Sequence, residues 1–232
     1  MKLLAIDTSS QSASCALLAD GLLLGEFYTN VRLTHSQTAL PMVHDLLKQT
    51  HTPLQEVDLF AVTTGPGSFT GLRIGLSAVK GMAHALGRQC VGVSTLEALA
   101  YNFYGHSCVV APVLDARCSQ VYTALFCWEG ERLTRLAQDT ALPIEQLAEQ
   151  LKNIESSVFL VGDGADLCYN RLKEQLPALR MASPALRYTH ASALALAAQR
   201  AADAGGTICP QQLVPAYLRL PQAQRELLAK QK

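Results

Sequence analysis

The sequence is short of charge imbalance, of paired cysteines and of long apolar runs. Nineteen basic residues stand against nineteen acidic ones in 232, so the formal net charge is zero. Phosphate contacts need clustered Lys and Arg. Bulk charge is therefore not how this chain would grip nucleic acid, and any RNA would be held mainly by another subunit. The seven cysteines (Cys15, Cys90, Cys108, Cys118, Cys127, Cys168 and Cys209) are odd in number, and none has CxxC spacing. That argues against a zinc site and against a disulfide scaffold. Several lie in apolar runs, as buried thiols do. "MKLLAIDTSS" offers one Lys and four apolar residues before Asp7, less than a signal-peptide core. No uninterrupted apolar run approaches the ~20 residues of a membrane span. The expectation is a cytoplasmic protein with no membrane contact. What the chain does have is apolar mass, with 49% hydrophobic against 16% charged residues. That suffices to bury a core in one large domain or two small lobes.

The first half reads as a three-strand meander. "LLAID" and "SCALLA" have buried-strand patterns, Asp20-Gly21 is a two-residue hairpin signal, and "LLLGEFY" returns. A helix follows over 34–49, with Leu40, Val43 and Leu47 at helical spacing and Pro41 expected in its first turn or at a kink. Then come a strand "DLFAVTT", a glycine turn, a helix over 70–86, a strand "CVGVS" and a helix over 95–103. The second half repeats the order. It has "CVVAPVLDA", "QVYTALFCW", a Glu129-Gly130 turn and "ERLTRLA", then a helix from near Pro143, "SVFLV", a Gly162-Asp163-Gly164 turn and a helix from Ala165. Asp7 lies nine residues before Ala16-Leu17, and Asp115 nine before Ala124-Leu125. The hairpin turns follow 13 and 14 residues after the respective Asp. Matching strand, turn and helix order is the signature of a duplication. It predicts two α/β lobes built on βββαβα units. The N-terminal lobe is expected over 1–104 and the C-terminal lobe, with a tail, over 105–232, divided near "YGHS".

In that arrangement Asp7 and Asp115 would each end a first strand and face the cleft between lobes, a position ligands favour. Each carboxylate either orients a metal-bound water for nucleotide chemistry or caps the turn after its strand. The turn "TTGPGSFTGLR" (63–73) raises a similar choice. From Gly67 to Gly71 it is one residue short of the P-loop, and Leu72-Arg73 stands where Lys-Ser would. It misses GxGxxG because Thr70 takes the third glycine position after Gly65 and Gly67. The helix start beyond it either holds an anion or is capped by Ser68 or Thr70. Gly162 and Gly164 flank Asp163 in a turn that suits a nucleotide contact or a tight entry into a helix. The candidate nucleotide or anion set is thus Asp7, Gly65, Gly67, Ser68, Gly162 and Gly164.

The helix over 70–86 carries a second signal. Gly71, Gly75 and Ala78 fall at i, i+4 and i+7, beside a stripe of Ile74, Ala78, Gly81 and Ala85. A glycine inside a helix costs about 1 kcal/mol relative to alanine, and close backbone approach by another element compensates for it. That element is either a helix of the same lobe or one of another protein, with Arg73 and Lys80 at the rim.

"LLAIDTSS", "GPGSFTGLRIG", "GVSTLEALA", "LDARCSQVYTALF" and "PAYLR" together resemble the bacterial TsaB family, also called YeaZ, over nearly the whole chain. The resemblance implies a two-lobed actin/sugar-kinase/Hsp70-like (ribonuclease H-like) fold. It implies a part in making threonylcarbamoyladenosine in tRNAs that read codons starting with A. The implied role is a non-catalytic scaffold and activator, paired with a larger transferase paralogue, TsaD, and with an ATPase, TsaE, in a complex that holds the tRNA. First-lobe helices would make the partner contact through Leu40, Val43, Leu47, Gly71, Arg73, Ile74, Gly75, Ala78 and Met82. A homodimer would use the same face. TsaD-type proteins carry a metal-binding HxxxH, whose matching positions here are Thr95 and Leu99, and none of the six histidines forms such a pair. Leucine cannot ligate a metal, and threonine is a poor substitute for imidazole. No catalytic or metal-binding residue is therefore expected in this chain, and ATP and metal are expected on partner subunits. The alternative is an ATPase or kinase-like enzyme of the same fold using Asp7. The C-terminal "RLPQAQRELLAKQK" reads as a solvated tail or as a contact for tRNA or partner.

Overall fold

The computed structural model describes residues 1–31 and 33–219. Strands β1 (Lys2–Asp7), β2 (Ala13–Ala19) and β3 (Leu22–Thr29) form the first meander. Asp20 and Gly21 both take positive φ, 49° and 82°, the geometry of a tight hairpin whose twist matches the strands. Helix α1 (His35–Gln49) leads to β4 (Leu59–Gly65), α2 (Phe69–Leu86), β5 (Gln89–Ser94) and α3 (Thr95–Ala100). Pro41 lies in the second turn of α1, later than expected. It is exposed there, as is Gln37, whose carbonyl the proline ring deprives of its helical donor and leaves to water.

The second half has the same parts: β6 (Cys108–Asp115), β7 (Gln120–Glu129), β8 (Arg132–Pro143), α4 (Ile144–Leu151), β9 (Val158–Val161), α5 (Ala165–Leu172), β10 (Leu179–Met181) and α6 (Ala191–Asp203). The sheets are ordered β3-β2-β1-β4-β5 and, read in the matching direction, β8-β7-β6-β9-β10. In each, the meander is antiparallel and the last two strands join it in parallel. The duplication is therefore complete, and each unit is longer by a final βα pair than the βββαβα expected.

That final pair corrects the expected division. Helix α3 follows the first sheet and, besides touching β4 and β5, packs on β6 and β7 of the second, whereas α6 follows the second sheet and packs on β1, β2 and β5 of the first. Residues 208–217 also return to the first lobe. Ile208 bridges Cys90 on β5, and Ala216 N–H donates to the Thr64 carbonyl at 2.8 Å. A cut at 104/105 thus separates the sheets but not the bodies built on them.

Three apolar clusters follow from this layout. Leu4, Ile6 and Phe60 meet Val43, Leu46, Leu72 and Val79 between the first sheet and α1/α2. Leu147, Leu151 and Cys168 pack α4 and α5 on the second sheet. The third cluster joins both inner sheet faces through the exchanged helices, with Leu96, Leu99, Phe126, Trp128, Leu194 and Ala198 fully buried.

Candidate functional site

The glycine turn closes on its own lobe. Ser68 caps α2 by accepting the Gly71 N–H at 3.2 Å. Its own N–H donates to the Ser9 carbonyl at 2.7 Å, in the loop between β1 and β2. A Cβ on Gly67 would lie 2.3 Å from that carbonyl, and one on Gly65 would lie 2.6 Å from the Ala216 carbonyl. The space glycine leaves open is thus filled by main-chain oxygen, which repels phosphate. The second turn repeats the device: a Cβ on Gly162 would lie 2.2 Å from the Val113 carbonyl, and Gly164 N–H donates to that same oxygen at 3.1 Å. The glycines thus serve close packing of each turn, Gly67 against the loop after β1, Gly65 against the Ala216 segment, and Gly162 and Gly164 against β6, while Gly67 and Ser68 also line the cleft between the lobes. Ser68 acts as a cap.

Asp7 does not face the cleft. It is fully buried, and its Oδ1 accepts from Thr63 Oγ1 at 2.6 Å and from Ser9 Oγ at 2.7 Å. Its Oδ2 has no hydrogen-bond partner among the described residues. Burial pushes the Asp7 carboxyl above its ordinary range, against the pull of the Thr63 and Ser9 donors. Asp115 does reach the cleft, and its Oδ1 also accepts the Arg117 N–H at 2.7 Å, so it caps its turn as well. The cleft encloses about 560 Å³ between Ser68, Phe69 and Thr70 on one side and Asp115, Tyr122 and Asp163 on the other. Tyr217 and Arg219 line it too. Sequence reading missed them, although an aromatic and a cation in "PAYLR" were a signal. Tyr217 stacks on Phe69 at 4.9 Å and accepts from Arg73 Nε at 3.0 Å, while Arg219 donates to the Ala116 carbonyl at 3.0 Å. The remainder of the C-terminal stretch, 220–232, lies outside the described residues.

The partner face divides by burial. Gly71 and Gly75 face inward: a Cβ on them would meet the Thr8 carbonyl at 2.1 Å and Thr8 Oγ1 at 2.5 Å. Val43 is 4% exposed and belongs to the core between α1 and the sheet. These three are corrected from interface to interior, Gly71 and Gly75 because the loop after β1 takes up the room they leave and Val43 because it packs α1 on the sheet. Leu40 is 54% exposed, Arg73 is exposed, and Ile74, Ala78, Met82 and Leu47 are half-buried. Ser77, Gly81 and Ala85 are exposed beside them, and a Cβ on Gly81 would meet nothing within 4 Å. Lys80 does not rim this face freely, since its Nζ donates to the Leu213 carbonyl at 3.1 Å.

Among the described residues no group of three His, Cys, Asp or Glu side chains could hold a metal ion, and no helix is long and apolar enough to cross a membrane. Thr95 and Leu99, where HxxxH was compared, are both fully buried.

A family model described as "TsaD: tRNA N6-adenosine threonylcarbamoyltransferase" matches residues 29–227. The tRNA threonylcarbamoyladenosine biosynthesis protein TsaB of Bacillus subtilis is 33% identical, with all of both chains covered. The structure of YeaZ from Pseudomonas aeruginosa superposes with a TM-score of 0.80 at 32% identity, over 94% of this chain and 99% of that one. Component A of the (R)-2-hydroxyglutaryl-CoA dehydratase of Acidaminococcus fermentans shares the fold alone, with a TM-score of 0.53 at 14% identity over 88% and 99% of the two chains. The duplicated sheets, the glycine turn packed on the loop after the first strand and these likenesses agree: the chain belongs to the TsaB (YeaZ) family of tRNA threonylcarbamoyladenosine biosynthesis proteins, on a two-lobed actin-like α/β fold.

Proposed function

We propose that this chain is a non-catalytic scaffold and activator in tRNA threonylcarbamoyladenosine synthesis. It docks on a TsaD-type transferase, and a TsaE-type ATPase joins the pair. The observation that carries the reading is the outer face of α2, where Ser77, Ala78, Gly81 and Ala85 leave the helix backbone open to close approach. Gly81 has no neighbour within 4 Å of an added Cβ, so nothing in its own lobe offsets its helix cost of about 1 kcal/mol. Leu40 and Ile74 supply apolar surface on α1 and α2, and Arg73 supplies a charged edge. A second copy of the chain would use the same face in the absence of the transferase.

ATP and metal are read as belonging to the partner subunits, and tRNA as bound mainly by the assembly. The buried Asp7 and the tightly packed glycine turns support that reading, because Asp7 is shut away from the cleft and the glycines' open sides are taken up by main-chain oxygen. The test is calorimetry with the transferase. Gly81→Arg and Ala78→Glu are expected to abolish binding while circular dichroism stays that of the wild type. Wild-type affinity in both would overturn the docking face. Gly75→Arg is unsuitable, since it would strike Thr8 and disturb the fold.

A further inference from the structure

We propose that the two lobes form one rigid body whose cleft cannot close on a ligand, because each lobe clamps the N-terminus of the helix it receives from the other. The first clamp is on edge strand β3. Glu26 Oε1 accepts the Ser192 N–H in the first turn of α6 at 2.9 Å, and Glu26 Oε2 lies 3.4 Å from His190 Nδ1. The His190 ring stacks on Tyr28 of the same strand, with centroids 4.5 Å apart. The second clamp is on edge strand β8. Ser94, the N-cap of α3, donates to Asp139. Arg135 joins Asp139 to Glu97 of α3, at 2.6 Å from the latter, and lies over the Phe126 ring.

The clamps occupy corresponding places in the duplicated halves, third strand to final helix. Between them, Asn102 Nδ2 donates to the Leu186 and Tyr188 carbonyls at 2.9 and 2.8 Å, tying the segment after α3 to the one entering α6. Trp128 Nε1 donates to the Ala100 carbonyl at 2.8 Å at the far end of α3. A rotation of one sheet against the other would break both clamps and shear the shared inner core. Packed interfaces of this kind switch between discrete states or stay put; they do not deform continuously. Two-lobed enzymes close on substrate to exclude water. This chain is braced against that motion, and the inference holds whether or not its α2 face is the docking site.

Pulsed dipolar spectroscopy tests it, with spin labels on unnatural amino acids at exposed Gln49 and Gln150, one on each lobe. The wild type is expected to give one narrow distance that magnesium-ATP leaves unchanged. Glu26→Ala combined with Asp139→Ala is expected to broaden it. A broad or ATP-shifted distance in the wild type would overturn the proposal, and so would a distance as narrow in the double variant. If that variant does not fold, Asn102→Ala, which cuts only the tie between the crossing segments, is read by the same criteria.

Discussion

At the scale of the residue, one glycine is not equivalent to another ten positions along. Gly71 and Gly81 both sit inside α2, yet Thr8 presses on the first and open space surrounds the second. Gly71→Ala would force its methyl against a main-chain oxygen, and overpacking of that kind costs about 1–3 kcal/mol. Gly81→Ala meets nothing and recovers helix propensity of up to about 1 kcal/mol. Urea unfolding of the two variants is expected to give shifts of opposite sign. The sequence displayed the stripe of small residues but not its division. Periodicity places Gly71, Gly75 and Ala78 on one face, while a neighbour sixty residues away decides which of them that face buries. Asp7 was obscured for a similar reason. Its place at the end of β1 was readable from the strand pattern, whereas its capture by Ser9 and Thr63 depends on how β4 lies beside β1.

Among the elements, α6 shows how a pair of charges can hold a helix to a foreign sheet. The hydrogen bond to Glu26, followed by that carboxylate's charge, holds His190 above its ordinary 6.5 despite partial burial. Burial works to raise Glu26, but the His190 and Ser192 donors outweigh it and the net shift is downward. The raised His190 contributes stability that is fully present below 6.5 and lost as pH rises through its folded value. The lowered Glu26 contributes above 4.5, and that part is lost as pH falls through its own folded value. The pair therefore helps most between those two unfolded values. His190→Ala is expected to be less stable than wild type inside that window and to close the gap on the alkaline side, as thermal melts from pH 5 to about 9 would show. A gap that is constant across pH would mean that the ring only packs on Tyr28.

This helix and β10 had no counterpart in the sequence reading. "ASALALAAQRAAD" has the helix propensity of its alanines, but its buried face is built of Ala191, Leu194, Ala195 and Ala198, with little bulk to mark it. Three-residue β10 is too short to alternate. Nor could amphipathicity say that α3 and α6 trade sheets, since an apolar face states that a helix is buried and not against what.

For the whole molecule, the scaffold and the enzyme place the work on different surfaces. An enzyme of this fold would act in the 560 Å³ cleft, with Asp115 and Asp163 as its exposed carboxylates. A scaffold would act through the outer face of α2, on the far side of the glycine turn from any cleft chemistry. The two surfaces can be disabled separately. Asp115→Asn keeps the oxygen that accepts the Arg117 N–H while removing the charge, so the turn survives. Ala78→Glu leaves the cleft intact and puts a charge on the docking face. In a reconstituted modification reaction containing the transferase, the ATPase, tRNA and threonylcarbamoyl-adenylate, Asp115→Asn is expected to keep the wild-type yield. Ala78→Glu is expected to fall to the yield obtained without this chain. The isolated wild-type chain is expected to turn over magnesium-ATP no faster than buffer. If Asp115→Asn fell with Ala78→Glu, or if the isolated chain hydrolysed ATP, chemistry would return to the cleft and the scaffold reading would fail. The comparison is decisive because the glycine turn lies between the two surfaces: Gly67 holds it to the loop after β1, Gly65 to the Ala216 segment, and its helix carries the face outward.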